Sequence, residues 1–90
     1  MTDLKPRQRD VLRFLVRTYA ERGRPASVRD VMGEFGWRST NAVMRHVHEL
    51  LRKGYLRYAG DGQVARGLLV AGLDERIRAA AREYLAAMGE

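Results

Sequence analysis

Residues 27–54 have the sequence SVRDVMGEFGWRSTNAVMRHVHELLRKG, which carries the strongest structural signal in the chain. Apolar residues recur at helical spacing in its first part and predict a short helix from Val28 to Phe35. Ser27 and Asp30 form the pattern of a capping box at the start of this helix. Gly36 is expected to end it, because glycine weakens helices and favours turns.

A second helix is predicted after only four residues, Gly36–Ser39. Ser39 is a suitable N-cap, and the spacing of apolar residues predicts a helix from Thr40 to Lys53 that ends at Gly54. Two short amphipathic helices joined by a glycine-containing turn of three or four residues form a helix-turn-helix. The segment therefore predicts this motif.

Elements on either side of the segment complete a winged fold. We predict a first helix from Pro6 to Arg22, which ends at Gly23. After the helix-turn-helix, Tyr55–Tyr58 and Leu68–Val70 are expected to form two strands, and Gly60–Gly62 is a strong hairpin signal between them. The predicted fold class is therefore mainly α, a winged helix-turn-helix with three helices and a two-stranded β-hairpin wing.

The C-terminal segment, residues 73–90, is predicted to form an extra helix after the winged domain at residues 1–72. Asp74 is a suitable N-cap, and several alanines favour a helix. The apolar stripe of this helix must be buried, either against the winged domain of the same chain or against the same helix of a second subunit. We favour the second arrangement, in which the helix is a dimerisation element. The residues expected at that interface are Ile77, Ala81, Tyr84, Leu85 and Met88.

Length and composition exclude several classes of protein. The chain has 90 residues, enough for one small domain, and its 46% apolar and 31% charged residues are typical of a globular protein. We find no apolar run long enough to cross a bilayer and no signal peptide, so we expect no membrane partner and a cytoplasmic, nucleoid-associated location. Because the sequence contains no cysteine, it has no disulfide framework and no thiolate metal site.

The charge distribution indicates a nucleic-acid partner. The net charge is +6, and residues 1–73 hold 14 Lys and Arg against 7 Asp and Glu. Of the 17 basic residues, 15 are Arg, whose planar guanidinium suits phosphates and guanine edges. An Arg-rich body favours nucleic acid over a membrane surface. The alternative is that the arginine usage reflects a GC-rich genome, and composition alone leaves both explanations open.

The second helix of the motif is predicted to have one apolar face and one polar face. Its apolar residues, Val43, Val47, Leu50 and Leu51, form a core stripe, and the polar residues Asn41, Arg45, His48 and Arg52 lie about opposite. In a recognition helix, Asn can bind adenine and Arg can bind guanine, each through two hydrogen bonds. The alternative is an ordinary solvated helix face, and the surrounding motif favours recognition.

Several short motifs resemble the DNA-binding domain of LexA repressors. The most specific is the run from Gly36 to Ala42, which winged helices in general do not share. The similarity covers about the first 70 residues. The other matching motifs are Leu4 with Arg7-Gln8, Gly23 with Pro25, His46, Leu50, Arg52-Lys53-Gly54 and Arg66-Gly67.

The resemblance implies a repressor of DNA-damage-response genes that binds its operator as a dimer. It places the base contacts near the start of the second helix of the motif. Met44 and Arg45 depart from the family, whose best-known members have acidic residues there, so the family's operator sequence is not expected to carry over. The base contacts that the resemblance implies are Ser39, Asn41, Ala42, Met44 and Arg45.

Contacts to the DNA backbone are expected from residues of suitable position and charge, and from the wing. Arg7 and Arg29 lie near helix starts, and Arg38 lies in the turn. Phosphate contacts supply affinity, whereas base contacts select the site. The complete set of candidates is Arg7, Arg29, Arg38, Thr40, His48, Arg52, Gln63 and Arg66.

An enzyme is not expected. LexA repressors carry a C-terminal serine–lysine protease domain, and this sequence ends at Glu90, so we expect a regulator that is unable to cleave itself. Ala71-Gly72 looks like the family's cleavage dipeptide, and we interpret it as a turn. His46 and His48 are two positions apart on a helix and cannot form a metal pair, so no metal is expected. No cofactor or small-molecule ligand is expected either, because the sequence shows no motif for one.

Two functions remain open from the sequence. We favour a sequence-specific repressor that binds a palindromic double-stranded DNA operator as a homodimer. The alternative is a protein-interaction module, such as an antirepressor that pairs with another regulator, and the departures at Met44 and Arg45 leave room for it. The Arg-rich body argues against this alternative, and such a protein would bind no duplex specifically at any salt concentration.

Overall fold

A computed structural model describes residues 4–58, 67–73 and 78–89 of the chain. The order of its elements confirms the predicted winged helix-turn-helix, in which three helices precede an antiparallel pair of strands. A further helix follows, as predicted. The elements are α1 (Pro6–Arg22), α2 (Val28–Phe35), α3 (Thr40–Arg52), β1 (Leu56–Tyr58), β2 (Leu68–Val70) and α4 (Arg78–Ala87).

The end of α3 differs slightly from the prediction, and hydrogen bonds explain the difference. The helix ends one residue before the predicted Lys53, and β1 begins one residue after the predicted Tyr55. The amide of Tyr55 donates to the carbonyl of Leu50 at 2.9 Å, and the amide of Gly54 donates to that of Leu51 at 3.1 Å. These two bonds form a Schellman motif, so Tyr55 completes the end of the helix instead of starting the strand.

The predicted capping box at the start of α2 is confirmed. The Ser27 hydroxyl accepts a hydrogen bond from the Asp30 amide at 3.1 Å, and the Asp30 carboxylate accepts one from the Ser27 amide at 2.9 Å. At the other end, Gly36 has a φ of 68°, a left-handed conformation that favours glycine. The amide of Trp37 then donates back to the carbonyl of Met32 at 3.0 Å, which reverses the chain toward α3.

The buried side chains come from the helix-turn-helix itself, from the elements on both sides of it and from α4. α1 runs through the centre and contributes more of them than any other described element. Burial of one Val or Leu side chain stabilises the fold by roughly 1.5–3 kcal/mol, so this cluster holds α2 and α3 in place. The largest fully buried side chains are those of Val11, Leu12, Leu15, Val16, Tyr19, Val31, Val43, Val47, Leu50, Leu68 and Met88.

Two strands and the connector between α1 and α2 form the base of the wing. β1 pairs with β2 so that Leu56 lies opposite Val70, and β2 also bonds to the connector, because the amide of Leu68 donates to the carbonyl of Ala26 at 2.7 Å. Gly67 has a φ of 112°, and a Cβ there would lie 3.0 Å from the Cβ of Pro25. The close approach of β2 to the connector therefore requires glycine. The hairpin signal at residues 60–62 lies outside the described residues.

The turn after β2 agrees with the interpretation of Ala71-Gly72. The amide of Ala71 donates to the carbonyl of Tyr55 at 2.8 Å, and the amide of Leu73 donates to that of Val70 at 3.1 Å. The dipeptide is therefore held in a hydrogen-bonded turn beside β1, and the next side chain, that of Leu73, is buried.

The C-terminal helix packs against α1 of its own chain, which is the first of the two arrangements considered above. Ala81 and Met88 are 0% and 1% exposed, and the Arg9 guanidinium donates to the carbonyl of Met88 at 2.6 Å. The side chains of Ala81 and Met88 are thus already covered by the chain's own core, which leaves them little surface to offer a second subunit. Tyr84 and Leu85 are half-buried.

Two other predicted residues of this segment, Asp74 and Ile77, lie outside the described residues. The helices that the structure does describe include none that is both long and apolar enough to cross a membrane.

Candidate nucleic-acid interface

α3 divides into a buried face and an exposed polar face, as its sequence predicts. Val43, Val47 and Leu50 are each 0% exposed and fix the helix to the core. The opposite face carries Asn41, Arg45, His48 and Arg52, which are all exposed. The helix thus presents an amide, an imidazole and two guanidinium groups to solvent from a rigid support.

Polar groups also surround the start of α3. The Ser39 hydroxyl accepts a hydrogen bond from the amide of Asn41 at 3.0 Å, so it caps the helix while the residue itself stays exposed. Thr40 is exposed beside it. The first amides of a helix carry partial positive charge and favour anions, so this end of α3 is compatible with a phosphate or a base edge.

The five predicted base-contact residues do not share one environment. Ser39, Asn41 and Arg45 are exposed, whereas Ala42 and Met44 are half-buried. Met44 packs against the core with part of its side chain. Ala42 and Met44 therefore offer an apolar edge beside the polar face instead of freely extended side chains.

The described candidates for backbone contacts are all exposed. They are Arg7, Arg29, Arg38, Thr40, His48 and Arg52, while Gln63 and Arg66 lie outside the described residues. Arg52 donates to the Glu49 carboxylate at 2.7 Å. This hydrogen bond lowers the pKa of Glu49 and raises the pKa of Arg52. Arg52 is therefore an exposed cation with part of its charge balanced by its own helix.

Other arginines hold the connector between α1 and α2. Asp30 lies 3.4 Å from the Arg24 guanidinium and 4.0 Å from that of Arg22. The hydrogen bond from the Ser27 backbone is the largest cause of the lowered pKa of Asp30, and Arg24 adds to the shift. The Asp30 carboxylate therefore caps α2 and also pairs with Arg24 of the connector.

Four aromatic side chains in successive ring contact link α1, α2 and α3, and we call Phe14, Phe35, Trp37 and His46 the aromatic column. Phe14 of α1 meets the Phe35 ring edge-on, with centroids 6.0 Å apart. Phe35 stacks on Trp37 at 4.9 Å, and Trp37 stacks on His46 of α3 at 5.1 Å. The column therefore connects α1, the end of α2, the turn and α3.

Two cations lie near the aromatic column. The Arg7 guanidinium carbon is 5.7 Å from the centroid of the Phe35 ring. Burial lowers the pKa of His46 most, and the charges of Arg7 and Arg45 lower it further. The charges of Arg7 of α1 and Arg45 of α3 thus both act on the same imidazole.

Sequence reasoning missed the column and did not consider Arg57 of β1 as a DNA contact. The column joins residues of four different segments, and helical spacing within one segment does not reveal such a cluster. Arg57 is exposed on β1 beside the buried Leu56. The alternation of a strand was the available signal for it, since successive side chains point to opposite faces.

We also searched the described part of the chain for groups that could bind a metal ion. Among residues 4–58, 67–73 and 78–89, no three His, Cys, Asp or Glu side chains are grouped closely enough for a metal site. The exposed polar groups of α3 and the cations around it are suited to an extended polyanion that also offers hydrogen-bonding edges.

Comparisons with known proteins agree with this geometry. The family model of the LexA DNA binding domain matches residues 1–67. LexA repressor 2 of Nocardia farcinica is 43% identical over 77 residues, which are 86% of this chain and 31% of that protein. LexA repressor of Sorangium cellulosum is 43% identical over 56 residues, which are 62% of this chain and 24% of that protein.

A relative from a third organism gives the same result. LexA repressor 1 of Geobacter sulfurreducens is 36% identical over 72 residues, which are 80% of this chain and 35% of that protein. The chain spans about a quarter to a third of the length of these curated relatives. The family match includes α1, the whole helix-turn-helix and β1, and α4 lies beyond it. The chain belongs to the LexA DNA-binding domain family.

Proposed function

We propose that this domain binds double-stranded DNA at a specific sequence and acts as a transcriptional repressor. The exposed polar face of α3, supported by a fully buried apolar face, is the observation that carries the proposal. Membership of the LexA DNA-binding domain family and the repressor names of the relatives support it. In this proposal α3 enters the major groove, where an α-helix fits and base pairs are distinguishable.

Base selection is assigned to the start and the exposed face of α3. Asn41 can bind an adenine and Arg45 a guanine, each through two hydrogen bonds. The Ser39 hydroxyl is held beside them by its cap bond to the Asn41 amide. Ala42 and Met44, which are half-buried, offer apolar contact to a thymine methyl group.

Affinity is assigned to phosphate contacts around α3. The exposed arginines Arg7, Arg29, Arg38 and Arg52, with Thr40 and His48, supply the donors. We extend the same role to Gln63 and Arg66 of the wing on their sequence alone. Each phosphate that such a group neutralises releases counterions, so binding is expected to weaken as salt increases.

We further propose that two copies bind a palindromic operator as a homodimer that forms on the DNA. One recognition helix covers few base pairs, and two half-sites raise avidity without any new base contact. The buried positions of Ala81 and Met88 argue against α4 as the centre of a dimer interface. We therefore expect DNA-free protein to sediment as one chain at micromolar concentration, and a full palindrome to bind two.

No catalytic step is assigned to the domain. The hydroxyls of Ser27 and Ser39 both accept hydrogen bonds from helix amides, so they act as caps. Ala71-Gly72 lies in a hydrogen-bonded turn next to a buried leucine.

The experiment is selection of bound sites from a pool of random duplexes, followed by anisotropy titrations with the enriched duplex and a scrambled one. We expect enrichment of one site and at least about tenfold tighter binding to it, a threshold well below the ratio of about 10³ or more that is typical of specific binding. The double variant Asn41→Ala with Arg45→Ala should lose that preference. Arg82→Ala, at an exposed position on α4, is the matched control and should keep it.

Failure of the selection would have a definite meaning. If no duplex is enriched at any salt concentration, the DNA-binding proposal is wrong, and a protein-interaction module becomes the better description of the domain.

A further inference from the structure

Arg7 lies at the start of α1, and its guanidinium lies over the ring of Phe35. The guanidinium carbon is 5.7 Å from the ring centroid, within the roughly 6 Å at which a cation is attracted to an aromatic face. Arg7 also lies 3.7 Å from Asp10, but both side chains are about half exposed, at 56% and 45%. An ion pair this exposed fixes little, because water screens it. The ring is therefore the better-defined support.

The Phe35 ring is itself held firmly. It is half-buried at the last position of α2, and Phe14 meets it edge-on, with centroids 6.0 Å apart and an interplanar angle of 77°. Trp37 stacks on it at 4.9 Å and 21°. Stacked and edge-on geometries are the ones that aromatic pairs prefer, because the ring quadrupoles attract each other in them. A cation on this ring is thus positioned relative to α2 and the turn.

The aromatic column extends this positioning to the recognition helix. Trp37 stacks on His46 of α3 at 5.1 Å. The charges of both Arg7 and Arg45 also lower the pKa of His46, after burial. Arg7 is therefore linked through the column to the recognition helix, although it belongs to a different helix.

We propose that Phe35 is a positioning residue for DNA binding, whose ring holds the Arg7 guanidinium in place for a backbone phosphate. This inference rests on the DNA-binding function proposed above. A guanidinium that is already oriented loses less side-chain freedom when it binds a phosphate. Phe35 itself touches no DNA in this arrangement and acts only through Arg7.

The test is a double-mutant cycle on DNA affinity with Phe35→Leu, Arg7→Ala and the double variant. Phe35→Leu keeps an apolar side chain but removes the ring, and should weaken binding about two- to fivefold. The loss should be equal for the enriched and the scrambled duplex, because a phosphate contact carries no sequence information. In the Arg7→Ala background, Phe35→Leu should have no further effect.

Two further variants separate positioning from packing. Phe35→Tyr retains the ring face and should bind DNA as the wild type does. Tyr84→Leu removes a half-buried ring of α4 that lies outside the aromatic column, so its effect should be the same with and without Arg7. Thermal unfolding of each variant shows whether it is folded under the conditions of the titration.

A measurement on the unmodified, DNA-free protein checks the contact if Phe35→Leu does not fold. The side-chain protons of Arg7 should be shifted upfield in NMR spectra by the ring current of Phe35. Random-coil shifts for Arg7 would overturn the inference about Phe35, and so would additive effects of Phe35→Leu and Arg7→Ala. Neither result would contradict the proposed DNA-binding function. If the wild-type protein binds no duplex, the proposed function fails and this inference fails with it.

Discussion

The His46 imidazole stacks on the Trp37 indole, with the ring centroids 5.1 Å apart and the planes 18° apart. Trp37 belongs to the turn of the helix-turn-helix and His46 to the middle of α3, so this contact fixes the helix to the turn that precedes it. The contact also places a titratable group against an aromatic ring, where the charges of Arg7 and Arg45 act on it. Its protonation is therefore coupled to the packing of the motif.

Stability is expected to fall as the pH decreases below neutrality. Burial and the charges of Arg7 and Arg45 lower the pKa of folded His46 below its ordinary value of 6.5. As the pH falls through 6.5, His46 is protonated in the unfolded chain before it is protonated in the folded chain. The free energy of unfolding therefore decreases. Denaturant unfolding at pH 7.5 and pH 5.5 measures the change. His46→Gln should reduce this dependence.

The pH prediction has a matched control on the same helix. His48 is exposed and outside the aromatic column, so His48→Gln controls for the replacement of an imidazole on α3 by an amide. Asp30 and Glu49 also have lowered pKa values, from 3.8 and 4.5, and their contribution to stability is lost only at more acidic pH. An unchanged dependence in His46→Gln would show that another group controls stability between pH 7.5 and 5.5.

Arg45→Ala should change which sites are bound, not only how tightly. Removing a contact with two hydrogen bonds to a base costs about 1–3 kcal/mol of discrimination at one base pair. Arg52→Ala is the control on the same face, and should weaken binding to all duplexes about equally. Repeating the duplex selection with each variant measures both effects. If Arg45→Ala keeps the wild-type site preference and only loses affinity, Arg45 contacts a phosphate.

Binding should depend strongly on salt. If about six phosphates are neutralised by the two copies on an operator, the slope of log K against log salt concentration should be near −5. Anisotropy titrations between about 50 and 200 mM salt give this slope. A slope near zero would be inconsistent with any substantial role for the exposed arginines in DNA binding.

α4 should be required for the stability of the domain. Ala81 is 0% exposed, so Ala81→Asp buries an unpaired carboxylate and should destabilise the fold by at least about 2 kcal/mol. Ala79 is exposed on the same helix, and Ala79→Asp should change stability by less than about 0.5 kcal/mol. Thermal or denaturant unfolding compares the two. Equal stability of both variants would mean that α4 is not held against α1.

The limits of the helices could be predicted because local chemistry sets them. The reciprocal bonds of Ser27 and Asp30 start α2, and the left-handed Gly36 ends it, so both signals are contained in a few neighbouring residues. The polar face of α3 could also be predicted, since it follows from helical spacing. The end of α3 was misplaced by one residue because the Schellman bond of Tyr55 was not recognised.

The placement of α4 could not be predicted in the same way. An apolar stripe with Ala81 and Met88 is equally suited to a second subunit and to the chain's own α1, because local sequence does not specify the surface that covers it. The aromatic column was missed for a related reason. Its members are ordinary apolar or aromatic positions within their own elements, and only the tertiary fold brings them together.

An NMR titration of the isotope-labelled domain with its enriched duplex measures where DNA is bound. We expect the largest backbone amide changes over residues 39–45 and at Arg7, and little change at Arg82, Glu83 and Ala86 on the exposed side of α4. The opposite pattern, with changes concentrated on α4 and none at the start of α3, would contradict the assignment of α3 as the recognition helix.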